Sequence, residues 1–317
     1  MRVIDLLNSK DTNSFSFELL PPLKGTGIEK LYSDIDTLRE FGPRYINITT
    51  HRSEYVYKET ADGLFQRNRM KRRPGTVAVA ASIKNKYDIK VIPHMLCSGF
   101  TREDTEYELI DLQFLGITDV FVLRGDKAPH EKKFNPEPGG NVHAIELEEQ
   151  INDFNRGLFV DGSQSKTCPN AFSYGVACYP EKHDESPNAE QDLMWLKKKV
   201  DAGAQYAVTQ MFYDNRKYFD FVERARKIGI DVPIVPGIKP ISKLAHLSML
   251  PKTFKIDLPE ELVRETLKCK DDMEMRTLGV EWCTQQCKEL LAAGVPGLHF
   301  YTVGAVNSVK DVAKAIY

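Results

Sequence analysis

Residues 15–22 read Phe-Ser-Phe-Glu-Leu-Leu-Pro-Pro, and this stretch decides the fold. Residues 15–20 have the length and aromatic content of a buried strand, and Pro21-Pro22 stop it. The turn that follows lacks the Gly-x-Gly-x-x-Gly pattern with which a dinucleotide-binding open sheet leaves its first strand. Seven more strand-like runs come after it, at 45–49, 89–95, 120–123, 174–178, 206–210, 234–236 and 298–301. Helical patterns with apolar residues three and four apart lie between them, at 28–41, 102–115, 190–202 and 217–228. Gly203, Gly229 and Gly294 stand where helices end and a positive φ is needed. Eight strands alternating with helices imply parallel pairing and right-handed crossovers. An open doubly wound sheet satisfies the alternation too. The count of eight and the absent fingerprint favour an α/β fold of one (β/α)8 TIM barrel, with residues 1–317 as a single domain.

Composition bounds the function. The 317 residues carry a net charge of −2 with both signs interspersed, so neither nucleic acid nor a membrane surface is expected as partner. The one basic run, Arg69, Lys71, Arg72 and Arg73, is expected to close a helix in solvent. Six cysteines without paired spacing, and no apolar leader in the first residues, point to a cytoplasmic protein with reduced thiols. Cys283 and Cys287, four apart with no further ligand beside them, read as a structural helix face, and no metal is expected.

In such a barrel the chemistry sits on loops after the C-terminal ends of strands. Polar residues collect there: Glu18, Thr49-Thr50-His51, His94, Arg124-Gly125-Asp126, Tyr179-Pro180-Glu181 and Gln210. Glu18 is either a desolvated general acid or a structural glutamate paired with a basic side chain. Asp126 either faces a ligand at a glycine turn or closes an ion pair with Arg124. Tyr179 to His183 offer an aromatic face and an imidazole, and a zinc half-site there lacks a second pair. Lys198 and Lys199 either complement a helix dipole or meet a phosphate. The long segment 129–141 is expected as a lid, and 156–171, on the opposite face, as a structural or oligomeric element.

Seven short motifs occur in order: Ser-Phe-Glu-(x)2-Pro-Pro (16–22), Leu-Arg-Gly-Asp (123–126), Tyr-Pro-Glu-x-His (179–183), Lys-x-Asp-Ala-Gly-Ala (199–204), Thr-Gln-x-Phe-x-Asp (209–214), Pro-Gly-Ile-x-Pro (236–240) and His-Phe-Tyr-Thr (299–302). Each is weak alone; as an ordered set over nearly the whole chain they resemble the methylenetetrahydrofolate reductase family. The resemblance implies a barrel that holds FAD, takes electrons from NADH or NADPH, and converts 5,10-methylenetetrahydrofolate to 5-methyltetrahydrofolate. It implies Glu18 as proton donor and Asp126 as the carboxylate near flavin and pterin. It assigns Thr49, His94, Arg124, Gly125, Asp126, Ala144, Tyr179, His183, Asp192, Lys198 and Lys199 to flavin contacts, and Gln210 and His246 to the folate side. Three positions depart from the pattern. His246 stands where a glutamine is common, Leu250 where some bacterial members place an aromatic, and Ala305 where an arginine is usual. A homo-oligomer is expected. Two other readings fit the same residues: a folate- or pterin-binding methyltransferase barrel, and a flavin-binding subunit of a larger electron-transfer complex.

Overall fold

The computed structural model describes residues 1–9, 15–127, 131–166 and 170–317. Its strands in chain order are β1 (Phe15–Leu19), β2 (Tyr45–Ile48), β3 (Glu54–Glu59), β4 (Phe65–Met70), β5 (Lys90–Leu96), β6 (Asp119–Leu123), β7 (Ser173–Cys178), β8 (Tyr206–Thr209), β9 (Ile234–Val235), β10 (Gly237–Ile238) and β11 (Leu298–Tyr301). Nine of them form one sheet in the order β10-β11-β1-β2-β5-β6-β7-β8-β9. The registers at β1–β11, β10–β11, β5–β6, β7–β8 and β8–β9 are all parallel. The two ends of this order, β9 and β10, are consecutive stretches parted only by Pro236. Proline has no N–H to give to a ladder, so it interrupts what is otherwise one strand. The pairing order thus returns to its start through eight strands, the α/β TIM-barrel class expected from the sequence.

The residues form two compact units. The first comprises Met1–Leu19, Ser33–Asn47 and Ser173–Tyr317; the second comprises Leu20–Tyr32 and Ile48–Phe172. In the first, β1 packs Phe15 against Phe17, Phe300 and Tyr317, with ring centroids 5.4 to 5.8 Å apart. Strands β2, β8, β9 and β10 are buried throughout, as strands covered on both faces must be. Gly203, Gly229 and Gly294 do follow helix ends with positive φ. Helix Asp272–Ala292 buries Cys283 and Cys287 on one face, and both are free thiols. Cys168 lies outside the described residues.

The second unit holds β5 and β6, the helices Thr76–Tyr87, Arg102–Phe114 and Ala144–Asn155, and one feature that sequence patterning misread. Residues 54–70 form an antiparallel hairpin, β3 with β4, from Glu54↔Met70 to Glu59↔Phe65. The basic run therefore does not end a helix. Arg69 is in β4, and Arg72 pairs with Glu54 across the hairpin mouth at 2.5 Å. Arg69 meets Asp104 at 3.4 Å and donates to the Gly99 carbonyl at 3.0 Å. Helix Arg102–Phe114 starts with a reciprocal Thr101–Asp104 cap. In the segment expected as a lid, Pro129 lies outside the described residues, while Gly139 and Gly140 fold back so that Arg102 N–H donates to the Gly139 carbonyl. In 156–171 the chain closes on itself, with a bridge between Leu158 and Gln164. Among the described residues no helix is long and apolar enough to cross a membrane.

Candidate active site

In the first unit, Glu18 is the one partly exposed residue of β1, between buried Phe17 and Leu19. The register sets it opposite Tyr301 of β11, and β10 sets Gly237 and Ile238 opposite His299 and Phe300. One residue further on, Lys239 reaches the level of Tyr301, so Glu18, Tyr301 and Lys239 stand abreast on three neighbouring strands. One layer below, Ser16, His299 and Gly237 stand abreast in the same way. Ser16 Oγ lies 2.9 Å from His299 Nδ1, and the Tyr45 ring stacks on the His299 ring. Burial pulls the His299 imidazole down to about 3, so this lower layer is polar but uncharged at neutral pH.

Above it the charges are packed in. Glu18 is partly buried, and desolvation pushes its pKa up to about 7 against the opposing pull of Lys239. Lys239 is 7% exposed, and burial brings its ammonium down to about 8 although Glu18 favours the charged form. Lys239 Nζ donates to the Val303 carbonyl at 2.7 Å, and the Thr302 hydroxyl donates to the Glu18 main-chain carbonyl. Tyr301 donates its phenol to the Thr209 carbonyl at 2.6 Å, one residue before Gln210. Gly237 makes room for this contact: a Cβ there would lie 2.2 Å from the Thr209 oxygen and 2.8 Å from the Tyr301 hydroxyl. Gln210 Oε1 accepts the Met211 N–H at 2.9 Å, which leaves its amide NH2 as the donor end. Buried His246 accepts the Ser242 N–H on Nδ1 at 3.2 Å. Burial, then Lys239 and Lys243, lower its pKa, so the neutral ring carries its proton on Nε2.

The same unit arranges the residues after β7. Asp192, in the first turn of helix Ala189–Ala202, accepts the His183 N–H at 3.2 Å and the Ser186 hydroxyl at 2.7 Å. Lys182 donates to the Ser186 carbonyl at 2.7 Å, and Tyr179 meets the His183 ring edge-on at 4.8 Å. Glu181 is held by Lys217 at 2.6 Å and by the Asp257 N–H at 2.9 Å, which pins the loop from its other side. The two lysines differ: Lys199 donates to the Ala177 carbonyl at 2.5 Å, whereas exposed Lys198 lies over the Trp195 ring at 4.2 Å.

In the second unit, His94 of β5 is buried against the Phe121 ring at 5.1 Å, and its carbonyl accepts the Thr50 hydroxyl. Thr49 Oγ1 stands 3.4 Å from His51 Nε2. Arg124 lies over the Phe134 ring at 4.8 Å. Gly125 has φ +80°, and a Cβ there would come within 2.8 Å of Ser98 Cβ. The Asp126 side chain is exposed, and its main-chain carbonyl accepts the Ser98 hydroxyl at 3.0 Å. Helix Ala144–Asn155 begins at Ala144 with His143 as an N-cap that places no side chain over the first-turn N–H groups.

The first unit thus sets Glu18 beside Tyr301, ties Tyr301 to the strand end before Gln210, and holds the Tyr179–Asp192 group around one loop. In the second, Arg124, Gly125 and Asp126 share one loop, and His94 packs on Phe121 of the strand before it. Lys239 was missed from the sequence. Its signal was a lone cation in the apolar run Ile234-Val-Pro-Gly-Ile-Lys-Pro-Ile241. Among the described residues no cluster of three or more His, Cys, Asp or Glu is placed to hold a metal.

Comparison with known proteins adds the lineage. The family model described as methylenetetrahydrofolate reductase matches residues 2–316. The chain is 33% identical over 325 residues to methylenetetrahydrofolate reductase (NADH) 1 of Arabidopsis thaliana, a match over 98% of this chain and 50% of the plant protein. It is 28% identical to a probable NADPH form from Caenorhabditis elegans, over 99% of this chain and 43% of that one. It therefore spans about half the length of these curated relatives. Against the 5,10-methylenetetrahydrofolate reductase of Salmonella typhimurium it is 30% identical, over 91% of this chain and 85% of the bacterial one. A Clostridium thermocellum protein whose structure is described as binding two copies of 5-methyl-5,6,7,8-tetrahydrofolic acid has the same fold, with TM-score 0.58 and 13% identity over 100% of this chain and 99% of that one. On the near-complete match to the family model, this chain belongs to the methylenetetrahydrofolate reductase family.

Proposed function

We propose that this chain reduces 5,10-methylenetetrahydrofolate to 5-methyltetrahydrofolate with FAD and a nicotinamide nucleotide, residues 1–317 acting as one catalytic domain. The observation that carries this reading is the Glu18 carboxyl, held on buried strands with a pKa near neutrality. An acid of that kind is half-protonated where cells work, which suits a proton donor.

The residues fit the cofactor by their chemistry. A diphosphate needs backbone N–H groups and cations. The second unit supplies the first turn of helix Ala144–Asn155 and the Arg124 guanidinium, with Gly125 letting backbone come close. The family resemblance also assigns Thr49, His94, Tyr179, His183, Asp192, Lys198 and Lys199 to flavin contacts. When bound, FAD supplies the transfer of two electrons from NADH or NADPH to the folate. The chain's own residues do the rest. Glu18 gives its proton to a nitrogen of the five-membered folate ring. The carbon–nitrogen bond at that atom breaks, with its electron pair remaining on the nitrogen. The lone pair of the other ring nitrogen then forms the cationic iminium, and Glu18 is left as a carboxylate. Asp126 contributes a negative charge that favours this cation. Gln210 and His246 present N–H donors to the folate ring system.

Glu18→Gln keeps size and hydrogen bonding but holds no transferable proton. Stopped-flow absorbance should show flavin reduction by NADH at a rate near the parent's. Reoxidation by methylenetetrahydrofolate should fall about a hundredfold. Normal reoxidation would make Glu18 a structural glutamate and remove the mechanism.

A further inference from the structure

The motif Pro-Gly-Ile-x-Pro leaves its fourth position open, and in this chain it is a lysine in a buried place. Strand register, one step past Ile238↔Phe300, sets Lys239 level with Tyr301, which is itself paired with Glu18. The two ionisable groups therefore flank one tyrosine across three strands. The turn after β11 meets both residues: the Thr302 hydroxyl donates to the Glu18 main-chain carbonyl, and the Lys239 ammonium donates to the carbonyl of the following residue, Val303, at 2.7 Å. The turn closes with Ala305 N–H on the Thr302 carbonyl at 2.8 Å, and Gly304 takes φ +67° to make it. An ammonium has three N–H donors, and the carbonyl uses one of them.

We propose that Lys239 is the positioning residue for Glu18, the two forming a partly buried carboxyl–ammonium couple on strands that the 302–305 turn ties together. The proposal rests on Glu18 being the acid of the reaction above. The ammonium works against the desolvation of the carboxyl, keeping it an acid able to let go of its proton rather than a permanently protonated one. Other groups around the couple are uncharged or distant from it. Tyr301 lies well above its ordinary range, and burial raises Tyr45 and Cys178 beside it, so these three are neutral. His246, on helix His246–Phe254, is neutral; Lys243 and Asp272 act on it with opposite sign. A cation thus reaches the 302–305 turn from a neighbouring strand, in a chain that has Ala305 where the family resemblance leads one to expect an arginine.

The couple is tested on the purified chain without turnover. With ¹³C-carboxyl glutamate, an infrared titration of the parent minus Glu18→Gln reads the Glu18 carboxyl alone. In Lys239→Met its midpoint should move upward by about one pH unit or more, and Lys239→Arg should bring it back. In the opposite direction, ¹⁵N-lysine spectra of Glu18→Gln should show the Lys239 midpoint lower than in the parent by a similar amount. That measurement stands in if Lys239→Met does not fold. Midpoints unmoved in either variant would overturn the couple, because a merely structural lysine leaves the titration of Glu18 where it was. In the assay, Lys239→Met should carry the alkaline limb of the folate step to higher pH while leaving the NADH step in place. If the titrations couple but no methylenetetrahydrofolate is consumed, the couple stands and the proposed reaction falls.

Discussion

Around Glu18, on β1, β10 and β11, ionisable side chains stand at strand ends among buried neighbours. On the Arg124–Asp126 loop and the β3–β4 hairpin of the other unit, solvent reaches them, although that unit also buries His94, Asp119 and Glu148 elsewhere. The same chemical groups therefore behave differently. Glu18, Lys239 and His299 are all moved far from their ordinary pKa values by loss of water. Ion pairs such as Arg72–Glu54 and Arg69–Asp104 keep a third or more of each side chain exposed, and pairs of that kind contribute little. The lesson is a division of labour within one fold: dry strand ends set proton affinities, and wet loops offer charge and backbone N–H groups to an incoming ligand.

The largest effect expected of this contrast concerns glycine. Gly237→Ala must push a methyl within 2.2 Å of the Thr209 carbonyl oxygen on one side and 2.6 Å of the Tyr301 ring on the other. A loss of about 3 kcal/mol or more is expected, read as a fall in Tm of about 6 °C or more. Gly63, in the hairpin turn, has positive φ and open space around it, so Gly63→Ala should cost only about 1 kcal/mol. Equal losses in the two variants would break the distinction between the units.

Next comes pH. Folding raises the Glu18 pKa from 4.5 to about 7, so between those values the unfolded chain releases a proton that the folded chain keeps. Stability linked to Glu18 is thus intact below about pH 4.5 and is lost as pH rises through about 7. Glu18→Gln removes that loss, and relative to the parent it should gain about 2 kcal/mol between pH 5 and pH 8. Chemical denaturation at the two pH values measures it, and a gain of opposite sign would refute the desolvation of Glu18.

The smallest effect belongs to the wet side. Asp126→Asn deletes a full charge, but one exposed to solvent and screened by it. The folate step should slow about tenfold, and flavin reduction by NADH should be unchanged or easier. A loss in the folate step as large as that of Glu18→Gln would mean that Asp126 works in a dry environment when ligands are present.

How much of this was legible in the sequence follows the same line. The barrel strands were readable because burial on both faces writes itself as apolar runs, and the site residues on them could be placed within a residue or two. The hairpin was not, because Glu54–Glu59 and Phe65–Met70 answer to each other and not to a core. Alternation toward a buried face, the signal that betrays a strand, is absent there. Lys239 escaped for a different reason. After Pro236 the strand looks finished, and a lysine beyond a strand end reads as solvated; only the pairing of Gly237 and Ile238 with β11 carries the strand on and takes the ammonium inside. Gly237 itself was visible as a motif letter, but not as the space that Tyr301 needs.

The pairing of β11 with β1 also fixes when the acid comes into being. Thr302 reaches Glu18 across 284 positions of chain. Until β11 pairs with β1, Glu18 lacks these neighbours, and a solvated glutamate is an ionised carboxylate at neutral pH. Only when residues 298–303 emerge and slip between β1 and β10 do Tyr301, the turn and Lys239 close around it. A chain that lacks residues 298–303 has the Glu18 sequence without the surroundings that raise its proton affinity.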